Sequence, residues 1–151
     1  MKTILAIIVL VVIAFFIFKN TNKPAPIATQ DSVVGCYVAT LGQDEYSLNI
    51  ITQDTTTVSG TLVFDNFERD SSHGAFLGTY KDGVLLGDYT FQSEGMTSSM
   101  QVIFKKEGDT FIRGFGALDV TGTRFSDLSA ITYDPAQTFM ATDEACATIP
   151  S

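Results

Sequence analysis

Gly74-Ala75-Phe76-Leu77-Gly78-Thr79-Tyr80-Lys81-Asp82-Gly83-Val84-Leu85-Leu86-Gly87-Asp88-Tyr89-Thr90-Phe91 is the stretch whose reading decides the fold. Residues 74–80 and 84–91 carry a period of two, with Leu85, Tyr89 and Phe91 on one face of the second run, and such alternation marks extended strands with one face buried. Between the runs, Lys81-Asp82-Gly83 sets Asp beside Gly, a pair that tolerates the left-handed backbone of a tight hairpin.

The same pattern extends in both directions. Strands are expected at 36–41, 46–52, 57–64, 74–80, 84–91, 98–105 and 110–116, with an eighth near 130–133. Tyr46, Leu48 and Ile50 alternate with polar partners, as do Val58, Leu62 and Phe64, and then Met100, Val102 and Phe104. Glu107-Gly108-Asp109 repeats the hairpin signal. Gly60, Gly78, Gly87 and Gly114 fall inside strands, where glycine weakens a flat ribbon but suits one that bends sharply. The reading is an all-β chain, an antiparallel meander closing into a small barrel of about eight strands, preceded by one N-terminal hydrophobic helix; a β-sandwich is the alternative. The expected inward set is bulky: Leu48, Ile50, Leu62, Phe64, Phe76, Tyr80, Tyr89, Phe91, Met100, Phe104, Phe111 and Phe115. Asp134-Pro135 ahead of Ala136-Gln137-Thr138-Phe139-Met140 reads as an N-cap with Pro at the first helical position, so a short helix is expected before Cys146.

Ile4 to Phe18 is an unbroken apolar run between Lys2 and Lys19. At about 1.5 Å per residue it spans roughly 22 Å, short of a hydrocarbon core of about 30 Å unless the flanking lysines snorkel. No small-residue pair marks a cleavage site and no Cys follows the run directly, so a membrane anchor is expected over 1–20, with a cleaved signal peptide as the alternative. Residues 21–32, polar and carrying Pro24 and Pro26, read as an extended linker, and 33–151 as one extracytoplasmic β domain. The expected setting is the cell envelope, with the domain outside the cytoplasm; cleavage would make it secreted or periplasmic. Two cysteines, Cys36 and Cys146, near opposite ends of an exported domain suggest a disulfide.

Charge narrows the partners. The chain carries a formal net charge of −8, and its three lysines before residue 31 leave the domain with six Lys and Arg against all 17 acids. Nucleic acid and anionic lipid headgroups are therefore expected to be poor partners, because repulsion would be felt over most of the surface. One His and no C-x-x-C argue against a metal site, and no glycine-rich loop precedes a helix to hold a phosphate cofactor, so neither metal nor cofactor is expected.

No constellation specifies a reaction. Asp70-Ser71-Ser72-His73 places triad-type residues side by side in an expected loop, whereas a triad converges from fixed positions. Asp44-Glu45, Glu68 with Asp70, and Asp143-Glu144 fall in turns or termini and read as solvated acids. Arg113 stands apart, because Phe111 and Phe115 share its face; if they point inward, so does the guanidinium. Glu94 or Asp88 is its expected partner, with Tyr89 and Gln92 as further candidates for a ligand-binding mouth. The opposite reading puts Arg113 at the rim, reaching water over its aliphatic stem.

The run from Gly74 to Met96, together with Gly35-Cys36-Tyr37, Val58-Ser59-Gly60-Thr61-Leu62 and Gln101-Val102-Ile103-Phe104-Lys105-Lys106, resembles a family of small exported, mostly uncharacterised domains of Bacteroidota, many of them lipoproteins. The resemblance covers about residues 35–116, implies an envelope location and a β fold, and carries no catalytic residues; the chain departs from it in having no lipidation Cys. A lipocalin is a looser analogy, since Gly35-Cys36-Tyr37 has the Gly but no Trp. The function expected is binding of an envelope protein or of a small amphipathic ligand by a membrane-tethered barrel. A secreted, lipocalin-like carrier and a hydrolase are the alternatives.

Overall fold

The protein is described here by a computed structural model, which covers residues 31–93, 95–144 and 146. Eight strands follow one another: β1 (Gly35–Leu41), β2 (Asp44–Asp54), β3 (Thr57–Asp65), β4 (Ser72–Lys81), β5 (Val84–Ser93), β6 (Met96–Glu107), β7 (Thr110–Phe115) and β8 (Thr132–Thr142). Each pairs antiparallel with the next, and β8 pairs with β1, closing the barrel. Among the described residues there is no α-helix, only a 3-10 turn at Leu128–Ala130, and no helix long and apolar enough to cross a membrane. The expected helix over 4–18 and the linker up to residue 30 lie outside the described residues.

The hairpin at Lys81–Val84 forms as its chemistry demands. Asp82 and Gly83 both adopt positive φ, 52° and 78°, the combination whose twist matches the flanking strands. Within this hairpin Gly78 and Gly87 stand directly opposite each other. A Cβ on Gly87 would lie 2.7 Å from the Gly78 Cα and 2.7 Å from the Phe76 ring, so the close approach of the two strands requires glycine here.

The expected helix at 136–140 is instead strand. Tyr133 pairs with Gly114 and Thr138 with Ile112, leaving Asp134-Pro135-Ala136-Gln137 as a bulge opposite Arg113. The local chemistry of a helix start is present, because Asp134 Oδ1 accepts from the Ala136 N–H at 3.0 Å. The same bond also stabilises an Asx turn. Beyond it the chain returns to the wall because Phe139, fully buried, pairs with Phe111.

The lumen is filled. Rings from strands that are not neighbours meet across it: Tyr37 (β1) with Phe111 (β7) at 4.9 Å, Tyr80 (β4) with Phe111 at 6.3 Å, Phe64 (β3) with Tyr89 (β5) at 5.7 Å, and Phe104 (β6) with Phe139 (β8) at 5.3 Å. An eight-stranded barrel is just wide enough for side chains to do this. The expected inward set is buried or half-buried with one exception. Phe115, the last residue of β7, is 37% exposed because the wall ends there.

The two ends of the barrel differ. The chain enters at the end holding the short turns after β2, β4 and β6. There Val33 is fully buried, donating its N–H to Gln53 Oε1 at 2.8 Å and accepting from the Tyr37 hydroxyl at 3.0 Å. The Cys36–Cys146 disulfide, Cα–Cα 5.5 Å, lies at this end too. Both long connections, residues 66–71 and 116–131, emerge at the distal end.

Candidate functional site at the distal mouth

Alternation along the strands decides which side chains reach the mouth. Arg113 follows Phe111 by two residues and therefore faces inward. Its guanidinium carbon lies 4.1 Å from the Phe64 ring centroid and 5.0 Å from that of Phe115, and Nη1 donates to Gln137 Oε1 at 3.3 Å. The β8 bulge is what brings Gln137 to this position. Among the described residues no carboxylate pairs with Arg113: the ion pairs are Arg69–Asp44, Lys105–Glu107 and Arg124–Asp88. Burial pushes the Arg113 pKa below the ordinary guanidinium value, and the nearby Tyr46 and Tyr89 oppose that shift.

Of the residues expected around Arg113, Tyr89 is beside it, 1% exposed, with its hydroxyl donating to Ser72 Oγ at 3.1 Å. Asp88 is not, since it faces outward and pairs with Arg124 at 3.1 Å. Gln92 is exposed, and three residues from Tyr89 on a strand it falls on the opposite face of the wall. Glu94 lies outside the described residues. His73, expected in a loop, is in β4 opposite Val63 and Gln92, also facing outward, while Ser72 faces Tyr89 and Ser71 binds Asp65. Alternation along one strand thus sends the triad-type neighbours in different directions.

Asp44 is the residue the sequence reading placed wrongly among solvated acids. Only 7% exposed, it accepts from the Phe67 N–H at 2.8 Å and from Arg69 at 3.3 Å, and the Tyr46 hydroxyl reaches it at 3.1 Å. It thereby fixes the 66–71 loop to the rim. Its period-two relation to Tyr46 was the available signal. The second long connection folds into a small hairpin of its own, in which Leu118 bridges Phe125. This hairpin continues the wall beyond the end of β7, since Gln101 N–H donates to the Thr123 carbonyl at 2.7 Å and Phe125 N–H to Gln101 Oε1 at 3.1 Å. At its tip the Thr121 hydroxyl, with neighbouring N–H groups, holds the Asp119 carboxyl below the usual carboxylate range and orders the turn that carries fully exposed Val120. A pocket of about 100 Å³ opens between this hairpin and the barrel, lined by Met100, Gln101, Arg113, Phe115, Leu118 and Phe125 among others.

The buried phenols make an alkaline prediction. Burial pushes the Tyr89 pKa from 10.0 up to about 12, and desolvation also raises those of Tyr46, Tyr37 and Tyr80. An unfolded tyrosine ionises near 10, so the stability these groups contribute is complete below that pH and is lost as pH rises towards about 12. Tyr89 alone accounts for about 2 to 3 kcal/mol. Thermal denaturation as a function of pH should show a steep fall through this window, and Tyr89→Phe should make it shallower; equal slopes in the two proteins would contradict the assignment.

Fold and mouth together define a closed, packed, disulfide-stapled eight-stranded β-barrel with an elaborated distal end. No family model, no curated protein and no solved structure matches the chain.

Proposed function

We propose that this chain is an envelope protein in which the segment 4–18 tethers the barrel to the membrane and the distal end docks a protein partner. One observation carries the docking part: most of the exposed large apolar side chains among the described residues, Leu41, Phe67, Met96, Phe115, Leu118, Val120 and Leu128, lie on the connections or strand ends of the distal end, against Val34 and Met140 near the entry end and Ile51 and Leu77 on the wall. Exposed apolar side chains gathered on one part of a surface mark interaction sites, whereas scattered ones need no explanation. Two of these residues sit on ordered supports, Phe67 on the loop tied down by Asp44 and Val120 on the Asp119 turn, so little conformational freedom is lost on docking. The chain enters at the opposite end, which leaves the distal end free when the domain is tethered.

A carrier of small ligands would use the lumen, and the rings that meet across it take that space. The test is paired substitution. Phe67→Asp with Val120→Asp should lose partner co-purification from native membranes at an unchanged melting temperature, while Leu77→Asp, on an exposed wall position, should keep it. Equal retention by both variants would remove the proposal.

A further inference from the structure

Arg113 is half-buried and has no carboxylate partner among the described residues; a cation held partly out of water without a counter-charge is costly to keep, and the two rings and one amide around it offset this only in part. The guanidinium carbon lies over the Phe64 and Phe115 rings, and among the described residues Nη1 is the one guanidinium nitrogen with an acceptor, Gln137. Arg113 also lines the pocket between barrel and hairpin. The other polar group of the lining is Gln101, whose Oε1 is held by the Phe125 N–H, so its NH2 is the part left to donate. Everything else in the lining is apolar or glycine, and it contains no carboxylate.

We infer that the Arg113 pocket is a carboxylate subsite, taking one carboxylate joined to a small apolar body. The single guanidinium matches one negative charge, and its planar donors suit a carboxylate. Met100, Phe115, Leu118 and Phe125 receive the body, which at interior packing density has about five or six heavy atoms in a space of about 100 Å³. The strongly acidic domain repels multiply charged anions more than singly charged ones, which favours a monoanion. This rests on the distal end being the acting surface, and two sources share the chemistry: a partner's C-terminal carboxylate behind an apolar last residue, and a free short-chain acid.

The test uses the full chain in lipid nanodiscs, with isovalerate against isovaleramide, and a tetrapeptide ending in leucine with a free against an amidated C-terminus, read by saturation-transfer NMR and calorimetry. The acid is expected to bind at least tenfold more tightly than its amide in at least one pair. Binding by the peptide pair identifies a polypeptide terminus as the source, and binding by isovalerate alone identifies a free acid. Arg113→Met should abolish the preference while the melting temperature stays level or rises, because an apolar isostere relieves the unpaired charge. Arg113→Lys should keep a weakened preference, and it answers the question if the Met variant does not fold. Equal binding of acid and amide, binding of neither, or a preference that survives Arg113→Met overturns the inference. If these fail while the Phe67 and Val120 variants still lose the partner, the docking proposal stands without the subsite.

Discussion

Removing the disulfide with Cys36→Ser and Cys146→Ser together is expected to lower the unfolding free energy by about 3 to 5 kcal/mol. The bond joins residues 110 apart in sequence, and a loop of that length lies near the top of the range of entropic stabilisation. Its position adds to the effect. The seam that closes the barrel consists of Cys36↔Thr142, Tyr37↔Ala141 and Val38↔Met140, a much shorter ladder than that joining β1 to β2. On its other side β8 is held by a ladder interrupted at Arg113. The strand with the fewest regular pairings is therefore the one that the disulfide fixes. Urea unfolding followed by circular dichroism measures the difference; a loss under about 1 kcal/mol would mean that the seam closes without covalent help.

The other large effect is expected from Phe111→Ala, at about 3 to 5 kcal/mol. Phe111 is fully buried and its ring meets Tyr37 at 4.9 Å, Tyr80 at 6.3 Å and Phe104 at 6.5 Å, so strands from different parts of the wall converge on it. These neighbours belong to strands of one closed barrel, which cannot move inward without breaking their ladders, so the cavity would persist. Phe115→Ala is the control, with the same chemistry on the same strand face but at a half-open rim. It should cost about 1 kcal/mol, since less apolar area is removed from contact. Comparable losses from the two substitutions would show that the lumen is not packed around Phe111.

Seven strands, the Asp82-Gly83 turn, barrel closure and the Cys36–Cys146 pairing were all legible in the sequence, because each leaves a local or compositional mark: a period of two, a hairpin dipeptide, glycines in strands, cysteines near the ends of the domain. β8 was not legible. Asp134-Pro135 forms the same side chain-to-backbone bond at a helix start and in a strand bulge, and the choice between them is made by pairing with β7 and β1, which are distant in sequence. At the mouth, the inward direction of Arg113 and Tyr89 followed from alternation, and the same rule separates Gln92 from them. The contact between Arg113 and Gln137 had no sequence signal, since it depends on the bulge. Asp44 was concealed by its position beside a turn, where most acids are solvated.

Site-specific photo-crosslinking in the native envelope tests the central claim most directly, with a photoreactive residue at Val120 on the distal end and, separately, at Val34 and Met140 near the end where the chain enters. The account predicts one discrete protein adduct from position 120 and none of the same mass from positions 34 and 140. The same adduct from the entry end, or none from position 120 while the entry end yields one, would contradict it.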